Sequence, residues 1–225
     1  MTESVNAIQG KIAGILDQDP EPSNIDTNDY ALRLSYMNLA LREWAEIYDW
    51  QALYKEYNGF ISTSTGNASV TLPTNFRKLA SYPQITYDGA NTYPFPETRP
   101  QEASQYASTD KRIEILGNNQ GYVMRIYGTA LTSGASVKVP YYASVGSLAS
   151  PTDIPEIPNT DYLVKRVIAY WWETREDSRF PEMKQEAERI LANLLDYENV
   201  FSEASTSDRV KTVDETKYAD RRWGE

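Results

Sequence analysis

The chain has 225 residues, 22 lysines and arginines against 32 acids, a net charge of −10, and neither cysteine nor histidine. That composition removes disulfides, thiolate nucleophiles, Cys/His zinc sites and every histidine-based triad, leaving carboxylates, Lys, Tyr, Ser or an all-oxygen metal site as the available chemistry. The acidic balance excludes nucleic-acid binding through the overall field; it keeps a chain soluble, and it would also suit a conduit along which DNA slides.

In chain order, Ser4 to Leu16 sets Val5, Ile8, Ile12, Ile15 and Leu16 on one side of a short helix. The opening residues lack the basic-then-apolar layout of a signal peptide, and no run of about 18 apolar residues occurs, so synthesis in the cytoplasm and no membrane span are expected. Asp17, Asp19 and Glu21 resemble a calcium loop without its glycine turn or distal glutamate, and no metal is expected there. Asp26 or Thr27 caps a second helix with Asp29 in its first turn. Leu32, Tyr36, Leu39, Glu43 and Ile47 descend one stripe of it, and Tyr36, Trp44, Tyr48 and Trp50 read as core rings against the C-terminal helices.

From Ala52 the period changes to strand-like alternation. Gly66-Asn67, Asp88-Gly89 and Asn118 to Gly121 read as hairpin turns, Pro73 and Pro83 confine strands to edges or bulges, and Arg99-Pro100 opens a short helix. Segments 111–117, 122–128 and 135–144 complete a small antiparallel sheet or barrel. The sequon Asn67-Ala68-Ser69 is read as chance. A three-proline linker, 145–159, delivers the chain to two helices joined at Arg179-Phe180-Pro181-Glu182. Tyr162, Leu163, Val167, Ile168 and Trp171 form the buried sector of the first; Met183, Ala187, Ile190, Leu191, Leu194 and Leu195 form that of the second.

The resulting architecture is α+β: a helical bundle of two N-terminal and two C-terminal helices, with an inserted antiparallel β subdomain and an extended C-terminal tail. The expected boundaries are 1–57 for the N-terminal helices, 58–144 for the insertion, 145–201 for the linker and helix pair, and 202–225 for the tail. The tail lacks an apolar period and is expected to be disordered on its own, either binding a partner or standing idle.

No phosphate-binding glycine loop and no nucleophile elbow occurs. Glu97, Glu102, Asp110 and Glu114 are the carboxylates that a two-acid hydrolase could use, but they read as a solvated rim. Glu173, Glu176 and Asp177 with Arg175 and Arg179 read as a salt-bridged helix end. The tyrosines Tyr82, Tyr87, Tyr93, Tyr106, Tyr122, Tyr127, Tyr141 and Tyr142 would suit a glycan-binding sheet, or simply strand packing.

Three stretches together resemble the head-to-tail adaptor family of tailed phages, also called tail tubular protein A or head-completion protein. They are Glu43 to Trp50 leading into the strands, Leu72-Pro73-Thr74-Asn75-Phe76, and Ile154-Pro155-Glu156-Ile157-Pro158 running into Tyr162 to Trp172. The layout covers about Met1 to Val200. The resemblance implies a virion structural protein of the neck, assembled as a homo-oligomeric ring of twelve copies that binds the portal protein, offers a platform to tail or nozzle proteins, and lets genomic DNA pass without sequence-specific binding. It implies that the C-terminal tail reaches the portal, through Arg209, Lys211, Tyr218, Arg221, Arg222 and Trp223. Tyr170 and Trp172 lie off the Leu163/Val167 stripe and, with Arg175, are the expected subunit interface. No catalytic residue, cofactor or metal is expected. A carboxylate-based cell-wall hydrolase and a Tyr-rich carbohydrate-binding module are the alternatives.

Overall fold

The computed structural model describes residues 3–16, 21, 23, 25–64, 67–87, 91–99, 110–118, 121–127 and 133–212, with the backbone alone at 64, 67, 87, 118 and 200–212. The chain forms two compact units, Met1–Tyr48 with Ser147–Glu225, and Asp49–Gly146. The helical unit is therefore assembled from both ends of the chain, and the strand-rich unit is an excursion between them.

The helical unit contains α1 (Val5–Ile15), α2 (Thr27–Ile47), α3 (Asp161–Glu173) and α4 (Phe180–Thr212). Helix α3 buries Tyr162, Leu163, Val164, Val167, Ile168, Ala169, Trp171 and Trp172. These positions run round most of the helix, which is the pattern of a helix enclosed by others. It is enclosed by α1, α2 and α4, each of which packs on it. Helix α1 turns Val5, Ile8, Gln9, Ile12 and Ala13 inward. Ser4 caps it, and its first N–H groups find partners in the returning linker, Val5 N donating to Asp153 O at 2.9 Å and Asn6 N to Pro151 O at 3.0 Å. The linker is also clasped by Asn38, whose amide donates to Leu148 O at 2.9 Å and accepts from Leu148 N at 2.7 Å. One side chain thus stands in for a strand partner.

Asp26 is the cap of α2, its carboxylate accepting from Asn28 N at 2.9 Å and Asp29 N at 3.4 Å. The buried face of α2 is Arg33, Met37, Ala40, Leu41, Trp44 and Ala45. The stripe of Leu32, Tyr36, Leu39, Glu43 and Ile47 lies beside it: Leu32, Leu39 and Ile47 are 37%, 39% and 50% exposed. Both stripes have helical spacing, and packing chose the one that places Trp44 in the core.

The corner between α3 and α4 falls at Thr174 to Arg179, earlier than the expected Arg179–Glu182. Thr174 Oγ1 donates back to Tyr170 O and Trp171 O at 3.1 Å, Glu176 takes a left-handed φ of 54°, and Asp177 Oδ1 accepts from Arg179 N at 2.9 Å. A charged run reads as helix by composition, and these local bonds end it instead. Pro181 then occupies the first turn of α4, as its missing N–H favours. Helix α4 runs through Thr212, past the Val200 where the apolar rhythm stops. Residues 202–212, expected to be extended, thus follow a helical path, and they contain neither Gly nor Pro to stop it.

The strand-rich unit holds two antiparallel sheets rather than one sheet or a closed barrel. Its strands are β1 (Tyr54–Phe60), β2 (Ser62–Ser64), β3 (Asn67–Thr71), β4 (Phe76–Leu79), β5 (Gln84–Tyr87), β6 (Asn91–Pro94), β7 (Arg112–Asn118), β8 (Gly121–Tyr127) and β9 (Ser136–Ala143). One sheet has the order β1-β9-β5-β6 with β4 also on β9; the other is β2-β3-β8-β7. The three expected hairpins form, pairing Ser64 with Asn67, Tyr87 with Asn91 and Asn118 with Gly121, although residues 65–66, 88–90 and 119–120 lie outside the described residues. So do 100–109, where the short helix was expected. Central β9 contains Pro140, which contributes only its carbonyl, accepting from Ala80 N at 3.0 Å.

The Leu72 to Phe76 step carries the chain from β3 in one sheet to β4 in the other. Leu72 and Phe76 enter the core, Phe76 N closes a turn on Pro73 O at 2.9 Å, and Asn75 accepts from Tyr141 OH at 3.1 Å and Ser144 N at 2.7 Å. The core between the sheets gathers Ile61, Val70, Ile85, Phe95, Ile113, Met124, Val137 and Val139.

Two identical substitutions separate the buried and exposed helix faces. Leu163→Ala, at a fully buried position, is expected to cost about 3–5 kcal/mol in urea unfolding. Leu39→Ala, on the exposed stripe, is expected to cost under about 1 kcal/mol. Equal losses would contradict the assignment of faces.

Candidate docking surfaces on the helical unit

Helices α2, α3 and α4 enclose a cleft of about 390 Å³. Ile47, Ala187, Leu191 and Tyr162 supply its apolar lining; Glu43, Glu46, Glu188 and Arg166 supply its polar lining. Antiparallel packing of α2 on α3 brings Glu43 to Arg166, 123 positions away, with Nε donating to Oε2 at 3.0 Å. The same Nε donates to Tyr170 OH at 3.1 Å. Tyr170 stacks at a tilt on Tyr36, ring centres 5.5 Å apart. Burial first, and then the Glu43 hydrogen bond, hold the Tyr170 hydroxyl well above its ordinary range. Burial pushes Tyr162 up to about 12. Among the described residues, Glu46 and Glu188 are exposed and have no cationic side chain within 4.0 Å.

The C-terminal end of α3 carries stacked arginines among the acids Glu173, Glu176 and Asp177. The Trp171 ring is covered by two guanidiniums, Arg175 at 3.6 Å and Arg33 at 4.8 Å from its centre. Arg179 lies 4.4 Å over Trp172 and grips Asp177 through two nitrogens at 2.8 and 3.1 Å. Those bonds hold the Asp177 carboxyl down near 2. Arg33 is fully buried on α2, with Asp29 at 3.9 Å; burial pulls its pKa down, and Asp29 opposes that. Arg175 is exposed and, among the described residues, has no carboxylate within 4.0 Å.

Of the expected interface residues, Trp172 is 6% exposed, Tyr170 is half-buried toward α2, and Arg175 is exposed at the corner. Positions two apart on a helix face different ways, so Tyr170 and Trp172 do not share a surface. Arg209 and Lys211 lie on the α4 backbone, and Tyr218, Arg221, Arg222 and Trp223 lie outside the described residues. Glu43, Glu46, Ile47, Glu188 and Leu191 were not singled out as a group. The Ile47 stripe and the Leu191 sector each carried a local signal, but pairings between helices leave no mark in local spacing.

In the strand-rich unit, Glu114 is buried rather than on a solvated rim. It accepts from Tyr127 OH at 2.7 Å and pairs with Arg125 at 3.3 Å, a satisfied cross-strand network between β7 and β8. Glu97 is exposed and bridges Ile113 through its backbone, and Glu102 lies outside the described residues. Tyr141 is buried, while Tyr82 is 57% exposed. Among the described residues no cluster of acids could hold a metal ion, and no helix is long and apolar enough to cross a membrane.

Stacked guanidiniums and exposed carboxylates beside apolar side chains thus lie on a mixed α+β fold. The family model for the SU10 adaptor protein matches residues 5–213, and the chain belongs to that family, a phage head–tail adaptor family of structural proteins. No curated protein matches the chain.

The raised tyrosines set an alkaline limit. A tyrosine whose folded pKa exceeds its unfolded value stabilises the fold fully below pH 10 and loses that contribution as pH rises through the folded value. Stability in urea is therefore expected to fall between pH 10 and about 12, and Tyr162→Phe to flatten that fall. An unchanged slope in the variant would contradict burial of the Tyr162 hydroxyl.

Proposed function

We propose that this chain is the ring-forming adaptor between portal and tail, acting by holding partners rather than by chemistry. The observation that carries the reading is the family match, which spans the helical unit and the strand-rich unit together. The ring has twelve copies in this reading and sits in the virion neck, after synthesis in the host cytoplasm. Unlike faces repeated by rotation close into a ring, and the helical unit has unlike faces, a cleft with Glu46 and Glu188 beside Ile47 and a corner where arginines stack on Trp171 and Trp172. In this reading the subunit interface draws on Tyr170, Trp172 and Arg175, of which Arg175 is the exposed member.

The strand-rich unit serves as the platform for tail or nozzle proteins, supported by its exposed Phe60 (71%) and Tyr82 (57%). The net charge of −10 supports a lumen through which DNA passes without sticking or sequence-specific contact. The C-terminal segment engages the portal through Arg209, Lys211, Tyr218, Arg221, Arg222 and Trp223; arginine and aromatic side chains are the commonest anchors of such contacts.

Deleting residues 213–225 tests the portal contact. The melting temperature is expected to stay within about 2 °C of the full chain, because the core formed by the described residues is left whole. Co-sedimentation with the cognate portal is expected to weaken at least tenfold. Unweakened portal binding would overturn the role given to the segment.

A further inference from the structure

The cleft between α2, α3 and α4 carries charge that its own walls do not cancel. Its one lining cation, Arg166, is held by Glu43 at 3.0 Å. Glu46 and Glu188 have no cationic side chain within 4.0 Å among the described residues. The cations near them in sequence are engaged elsewhere or stand outside the lining. Arg42, one turn before Glu46, donates its Nε back to Asn38 O at 3.2 Å. Lys165 is paired with Glu186 at 2.9 Å. Lys184 and Arg189 are exposed on α4 and do not line the cleft.

Two exposed acids alone ask for nothing more than water. Tyr162 adds an independent demand. It is 3% exposed and lines the cleft, and among the described residues its hydroxyl has no hydrogen-bond partner. Arg166, Glu43 and Glu188 are the charges that act on that hydroxyl, so it lies among the polar lining. Buried hydroxyls normally have a partner, and the partner for this one must come through the cleft. Ile47, 50% exposed, and Leu191 add an aliphatic wall. The volume of about 390 Å³ lies in the range of small-ligand sites.

We propose that this cleft is a binding site for an alkyl cation, a guanidinium or ammonium at the end of an aliphatic stem. The head donates to Glu46, Glu188 and the Tyr162 oxygen, and the stem lies along Ile47 and Leu191. Such a head has only donors, which suits a lining whose open groups all accept. An anion would meet two glutamates, and a neutral apolar ligand would leave them and the hydroxyl unpaired. Among the described residues no group of acids could hold a metal ion. The cation comes either from a free amine or from an arginine or lysine of a docked protein. The site does not depend on the ring reading.

The test uses the full-length chain with isotope-labelled Ile and Leu methyls, titrated with butylguanidinium and followed by NMR. Saturable shifts at Ile47 and Leu191 are expected, with a dissociation constant on the order of 1 mM. Butylurea, the same shape without the charge, is expected to bind at least tenfold more weakly. Glu46→Gln with Glu188→Gln, both at exposed positions that leave the fold in place, is expected to weaken butylguanidinium at least tenfold. Tyr162→Phe is expected to weaken it about threefold without lowering the melting temperature of the free chain, because the hydroxyl has no internal bond to lose. Absence of shifts at Ile47 and Leu191, an equal response to butylurea, or unchanged binding in the double variant would each overturn the site. A melting temperature lowered by several degrees in Tyr162→Phe would overturn the open role given to its hydroxyl.

The source of the cation is read by adding butylguanidinium to the chain mixed with its cognate portal. Co-sedimentation reduced by butylguanidinium but not by butylurea assigns the site to a basic side chain of a docked neighbour. Undiminished co-sedimentation assigns it to a free amine. Failure of the chain to assemble at all would contradict the ring reading and leave the site, which is measured on the chain alone, standing.

Discussion

The helical unit depends on the enclosure of α3. A helix that buries Leu163, Val167 and Ile168 on one side and Trp172 on another cannot be covered by its sequence neighbour alone. Helix α4 covers one side; α1 and α2, from the opposite end of the chain, cover the rest. Chain ends that must meet leave the intervening residues to leave and return, and the strand-rich unit occupies that excursion. The linker's return is held by Asn38 and by the first turn of α1, so the clasp uses groups that a helix end and a polar side chain would otherwise leave open to water.

Much of this was legible because it is local. The inward sector of α3, the Asp26 cap and the three hairpin pairings each follow from spacing or turn chemistry within a few residues. The misplacements have local causes too. Two stripes of α2 had helical spacing, and only burial of Trp44 distinguishes them; Arg33 on the inward face disguised it, because a fully buried guanidinium breaks an apolar pattern. The corner after α3 was set by Thr174 and Asp177 bonding to nearby backbone, which competes with helix without changing composition. Helix α4 outlasts its apolar rhythm because propensity persists where periodicity ends.

The candidate surfaces were less legible, for a topological reason. Glu43 and Arg166 are brought together by antiparallel packing of helices from opposite ends of the chain, and no local spacing encodes that contact. Glu114 read as a solvated acid until its cross-strand partners, Tyr127 and Arg125, were placed beside it. Tyr170 and Trp172 share an off-stripe position in sequence yet face apart, one toward Tyr36 and the other under Arg179. A helix wheel sorts residues into inside and outside, but it does not distinguish a face covered by the same chain from one left for a neighbour.

The surfaces of the two units carry stacked guanidiniums, exposed acids beside apolar groups, and exposed aromatics on the sheet unit. Family membership places these surfaces in a phage head–tail adaptor. The most direct measurement of the ring account is electron microscopy of the purified chain, alone and mixed with its cognate portal. The account predicts a ring stacked on the portal, with a central opening wide enough for duplex DNA. A particle that stays monomeric and ignores the portal at every salt concentration would contradict it.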